Sequence, residues 1–90
     1  MELKASRVIT HVYGMHARAS TKFVEVAQRF RSDVFVSKDG MPEVDGKSVL
    51  GVLTLGAEVG HKINLRVKGS DAEQTLAALI AVIERNFDGV

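Results

Sequence analysis

Residues 62–68, Lys-Ile-Asn-Leu-Arg-Val-Lys, alternate without a break: Ile63, Leu65 and Val67 fall on one side of an extended chain, and Lys62, Asn64, Arg66 and Lys68 on the other. A helix would scatter these side chains around its axis, so the segment is predicted to be a strand. Because side chains repeat every second residue, a sheet that contains it has one dry face and one wet face. The rest of the chain must cover the dry face and leave the other open.

The segments on either side supply that cover. Ser70-Asp71-Ala72-Glu73 has the spacing of a capping box, and Leu76, Leu79, Ile80, Ile83 and Phe87 follow on one helical stripe. Earlier, from Ala17 onward, Phe23, Val26, Ala27 and Phe30 recur at spacings of three and four, with Lys22, Glu25, Arg29 and Arg31 off the stripe. A third, shorter helix is predicted within "GKSVLGVLTLG", residues 46–56, where Val49, Val52, Leu53 and Leu55 lie at near-helical spacing before Gly56. "LKASRVI", residues 3–9, reads as a first strand that stops at the Gly14 turn. "DVFVSKDGMPEV" reads as a hairpin about Lys38-Asp39-Gly40, because Asp-Gly tolerates positive φ. The element order β-α-β-β-α-β-α, with one wet sheet face, predicts a two-layer sandwich of sheet and helices. Phe23, Phe30, Phe35 and Phe87 are assigned to its core.

Ninety residues suffice for one domain, residues 1–90, that buries roughly 60–65% of the surface its unfolded chain exposes. Twelve Lys and Arg against eleven Asp and Glu leave a formal charge of +1, too little to attract a polyanion by bulk charge. An RNA-binding domain of this class would display aromatic side chains on the sheet, and "INLRVKG" offers none; no nucleic-acid partner is expected. The absence of cysteine removes disulfides, thiolate chemistry and sulfur-ligated zinc. The N-terminal residues carry Glu2, Lys4 and Arg7 and lack the apolar run of a signal peptide, and no apolar stretch approaches the ~18 residues that span a bilayer. A cytoplasmic monomer without membrane insertion is expected.

The chemistry concentrates in "YGMHARAST", residues 13–21. If a helix begins near His16, its first-turn N–H groups and the positive end of its dipole converge there and make an anion site. The same field disfavours imidazolium, so His16 is expected to be neutral near pH 7, with a ring lone pair free to act as a nucleophile. Arg18 adds a guanidinium suited to phosphate oxygens, and Gly14 lets the preceding backbone bend close. A histidine at a helix start also serves as a plain polar cap, and Ser48 serves equally well as the N-cap of the short helix. His11 and His16 supply at most two metal ligands and His61 heads a separate strand; no metal or cofactor is expected, and His11 and His61 are expected to be dispensable.

"GMHARAS", residues 14–20, resembles the active-site signature of the histidine-containing phosphocarrier (HPr) family of the bacterial phosphoenolpyruvate-dependent phosphotransferase system. "GKSVLGVLTLG" is similar to that family's second signature, around its regulatory serine. The resemblance spans the whole chain. It implies an α+β, open-faced β-sandwich, with a four-stranded antiparallel sheet and three helices on one face. It implies that enzyme I phosphorylates His16 on Nδ1, with Arg18 assisting and the backbone of Ala17 and Arg18 binding the phosphoryl group. His16 then passes that group to a histidine of an enzyme II A-domain. On this footing the chain is a stoichiometric carrier rather than an enzyme. Ser48 matches the serine modified by an ATP-dependent kinase, and Met15, Val49, Leu50 and Leu53 border the docking surface. The nitrogen-related branch of the same system is the alternative. Ala19 departs from the proline usual after the arginine, and Glu25 stands where some members are basic.

Overall fold

In the computed structural model, which spans residues 1–90, the alternating segment is the spine of the sheet. It forms β4 (Lys62–Lys68) and pairs antiparallel on one side with β1 (Glu2–Val8) and on the other with β2 (Asp33–Lys38). β3 (Val44–Asp45) closes the far edge, giving the order β1-β4-β2-β3. The register puts Leu3, Val67 and Val34 abreast on the dry face and Lys4, Arg66 and Phe35 abreast on the wet one. Three helices, α1 (Ala17–Gln28), α2 (Val49–Leu53) and α3 (Ala72–Glu84), cover the dry face. Phe23, Ile63, Leu65, Leu79 and Val82 meet there, all fully buried. The fold is the expected α+β open-faced sandwich, and no helix is long and apolar enough to cross a membrane.

Several local expectations need correction. α2 is only five residues long. Past Leu53 the helical path decays into tight turns, Leu55 N–H bonding Val52 O and Gly56 N–H bonding Leu53 O, because an eleven-residue segment this close to the sheet must turn to bring Leu55 and Ala57 into the core. The capping box at Ser70–Glu73 does not form. Asp71 is the N-cap of α3 but makes no side-chain cap bond; its carboxylate instead accepts the N–H groups of Arg31 and Ser32 and the Ser32 hydroxyl. Phe87 is buried as expected, but from a 3-10 turn (Phe87–Gly89) beyond the end of α3.

Phe35 is not a core residue. It stands on the wet face because Val34 and Val36, its neighbours in a two-residue repeat, take the dry one. The Arg66 guanidinium lies 4.0 Å above its ring, held by Glu43 and Glu2 at 2.8 and 2.9 Å, so the aromatic surface is roofed by a cation rather than bare.

Candidate functional site

The loop between β1 and α1 is pinned before it reaches the helix. Ile9 N–H donates to His61 O and Gly60 N–H to Ile9 O, and Met15 N–H donates to Ala57 O at 2.9 Å. Gly14 makes the bend possible. Its φ is +65°, and a Cβ there would lie 2.5 Å from the Ala57 carbonyl oxygen and 2.8 Å from Glu58 Cα, so only glycine fits. Ser20 Oγ–H then donates to Met15 O at 2.9 Å, tying the loop to the first turn of α1.

His16 is the N-cap of α1, with extended backbone geometry. Its Nδ1 accepts the Arg18 N–H at 3.1 Å. That bond requires a lone pair on Nδ1 and places the ring proton on Nε2, which faces the Val90 backbone oxygen at 3.3 Å. The ring is half-exposed. The N–H group of exposed Ala17 has no acceptor within the chain, and the Arg18 guanidinium, exposed, makes no ion pair. An amide donor without a partner, a guanidinium without an ion pair and a ring lone pair therefore belong to residues that border one patch of surface. Tyr13, His16, Ala17, Arg18 and Val90 line a shallow cavity of about 630 Å³ over it. Such a site can accept a tetrahedral anion on Nδ1 and hydrogen-bond its oxygens.

The structure separates the other residues singled out in the sequence. Ser48 is the N-cap of α2, its Oγ accepting the Gly51 N–H at 3.1 Å. Leu50 is exposed, 73% of its surface free, while Val49 and Leu53 are half-buried. Met15 is buried; it points into the core because the two residues flanking it, Gly14 and His16, shape the turn. It presents no docking surface. Residues that carried no local signal also crowd the site. His11 is buried and its ring centroid is 5.2 Å from that of His16. Tyr13, exposed, sets its ring 6.2 Å from His16. The chain returns from α3 to bring Val90 alongside. His11, three residues after the end of β1, was visible in the sequence; its approach to His16 depends on the loop path.

Comparison with known proteins agrees with this architecture. The family model described as "PTS HPr component phosphorylation site" matches residues 3–85. Among curated relatives, the phosphocarrier protein HPr of Cupriavidus necator is 38% identical over 85 residues, 94% of each chain. The phosphocarrier protein NPr of Escherichia coli is 35% identical over 88 residues, 98% of each chain. A crystal structure of HPr from Thermoanaerobacter tengcongensis superposes with a TM-score of 0.90 at 34% identity, covering 96% of each chain. The chain belongs to the HPr family, the phosphocarrier proteins of the phosphotransferase system.

Proposed function

We propose that His16 carries the phosphoryl group, accepting it on Nδ1 from phospho-enzyme I and passing it to a histidine of a sugar-specific enzyme II A-domain in the cytoplasm. The observation that carries this reading is the Nδ1 lone pair at the start of α1, bonded to the Arg18 N–H and next to the unpartnered N–H group of exposed Ala17. As Nδ1 bonds to phosphorus, the Arg18 N–H turns from the ring nitrogen to a phosphoryl oxygen, and the Ala17 N–H and the Arg18 guanidinium are at hand for the others. A loose phosphoryl-transfer transition state needs positioning and charge stabilisation above all, and these donors supply both with no more than a local exchange of hydrogen-bond partners. Release to the next histidine reverses the same contacts. The carrier turns over only with its partner enzymes.

Incubation with phosphoenolpyruvate and a bacterial enzyme I, followed by intact-mass measurement, tests this. One added phosphate, lost in mild acid and absent from folded His16→Ala, is the expected result; undiminished labelling of His16→Ala moves the site elsewhere.

The similarity to NPr across 98% of the chain favours a second reading, service in the nitrogen-related branch with a regulatory output. Comparing kcat/KM for acceptance from the enzyme I of each branch separates the two. For Ser48 we propose regulation: it borders exposed Leu50, and its phosphorylation would place about −1.5 to −2 charges there.

A further inference from the structure

His11 is buried, with 7% of its surface exposed, and the transfer chemistry proposed for His16 does not use it. Tyr13 N–H donates to its Nδ1 at 3.1 Å, so its proton sits on Nε2 and is donated to the Val90 backbone oxygen. His16 Nε2–H faces the same oxygen at 3.3 Å. One backbone oxygen is thus shared by two histidines whose rings meet edge to face.

Val90 reaches that place by an unfavourable path. Asn86, Phe87 and Asp88 have φ of 53°, 55° and 59°, a left-handed region that asparagine and aspartate enter but a bulky side chain such as that of Phe87 avoids. The segment is held in it by the buried Phe87 ring, by the Thr10 hydroxyl donating to Asn86 Oδ1 at 2.7 Å and by Arg85 donating to Asp88 at 2.7 Å. Strain that surrounding contacts enforce beside a reactive group points to a positional requirement there.

We infer that His11 is a positioning residue for phosphoryl transfer: it holds the Val90 backbone oxygen against Nε2–H of His16. This rests on His16 being the acceptor. In the transfer, the Nδ1 lone pair forms the new N–P bond while the bond from phosphorus to the donor atom breaks, the donor atom keeping that electron pair. No proton moves. The Nε2 proton stays on a ring that has become cationic, and a cationic N–H donor bonds an oxygen acceptor at shorter range and about twice as strongly as a neutral one. The contact is long in the free protein and gains strength as charge develops, so it favours the transition state over the ground state. His11, buried and bonded on both ring nitrogens, keeps the oxygen in place beforehand.

The competing role for His11 is to fill space against Phe87, 6.0 Å away between ring centroids, and to hold the turn at residues 11–14. Two variants of the full chain, phosphorylated by enzyme I and phosphoenolpyruvate, separate the roles. His11→Phe keeps the packing and loses the donor; His11→Gln restores an N–H at the Nε2 position. We expect His11→Phe to lower kcat for acceptance about tenfold with little change in KM, and His11→Gln to recover most of it. NMR of the phosphoprotein should find the His16 Nε2 proton protected from exchange in the wild type and unprotected in His11→Phe. Equal kcat in the wild type and both variants, or equal loss in both, overturns the inference. Should either variant fail to fold, Thr10→Val releases Asn86 without touching His11 and should show the same split; an unchanged kcat in that variant also overturns it. Labelling that survives His16→Ala overturns instead the reading of the acceptor.

Discussion

Gly14 shows how much of the site hangs on a single atom. A methyl group there would meet main-chain atoms of Ala57 and Glu58, which cannot swing aside as a side chain can, and alanine is also strained at φ +65°. Gly14→Ala should cost at least about 2 kcal/mol in denaturant unfolding and shift the amide resonances of Ala17 to Ala19; an unperturbed Tm would mean that the loop is softer than its bonds imply. Ser48 is a case of one side chain with a settled structural role and a proposed regulatory one. Ser48→Ala removes the bond to Gly51 N–H and should cost about 1 kcal/mol. Ser48→Asp keeps an acceptor and should leave stability nearly unchanged, while raising KM for acceptance from phospho-enzyme I at near-constant kcat. Added salt should narrow the difference. A fall in kcat alone would place the effect on the transferring group rather than on docking.

At the scale of elements, polar side chains at the ends of the helices add ties to the core between them. Lys47 Nζ donates to Phe30 O at 2.7 Å, and the Gln28 amide donates to Lys47 O, which ties the approach to α2 to the end of α1. Asp71 ties the start of α3 to the start of β2. The Ser32 hydroxyl, then the Arg31 N–H, with Ser32 N–H and the Thr75 hydroxyl adding to them, hold its carboxyl far below the usual aspartate range against the opposing effect of burial. The folded state therefore binds that proton less readily than the unfolded chain. The stabilisation is complete above the ordinary aspartate value of about 3.9 and is lost as pH falls from there through the lower folded value. Asp71→Asn should lower stability near neutral pH and flatten its decline in acid, so that urea curves for variant and wild type converge as the pH drops. Parallel declines would assign the acid sensitivity to other carboxylates.

Across the whole molecule, the two ends of the sequence order meet at the site. The loop after β1 carries His11 and His16, and the segment after α3 carries Phe87 and Val90, so the stability of the chain and the geometry at His16 share one anchor. Phe87, 1% exposed, is that anchor. Phe87→Ala should cost about 3–5 kcal/mol, and in the fraction that remains folded it should slow phosphoryl acceptance, because the left-handed turn loses the contact that offsets its strain. Stability lost without any change in the transfer rate would uncouple the turn from the site. The wet face of the sheet takes no part in this. Arg66, Glu2 and Glu43 pair across it, each acid held below and the guanidinium above its ordinary range by their mutual hydrogen bonds.

The alternation at residues 62–68, the apolar stripe beginning at Phe23 and the histidine before Ala17 were enough to derive a two-layer sandwich with a histidine at a helix start, because periodicity and capping are local properties of neighbouring residues. The same patterns could not tell that β4 lies at the centre of the sheet, that Phe35 faces outward under Arg66, that Met15 turns inward or that Asp71 bonds across to Ser32 instead of closing its own cap. Each of those depends on which residue, distant in sequence, occupies the facing position. His11 marks the boundary most clearly. As a residue it is one histidine among three; its place beside His16 exists only because the loop, the left-handed turn and Val90 are brought to one point, and only the folded chain can do that.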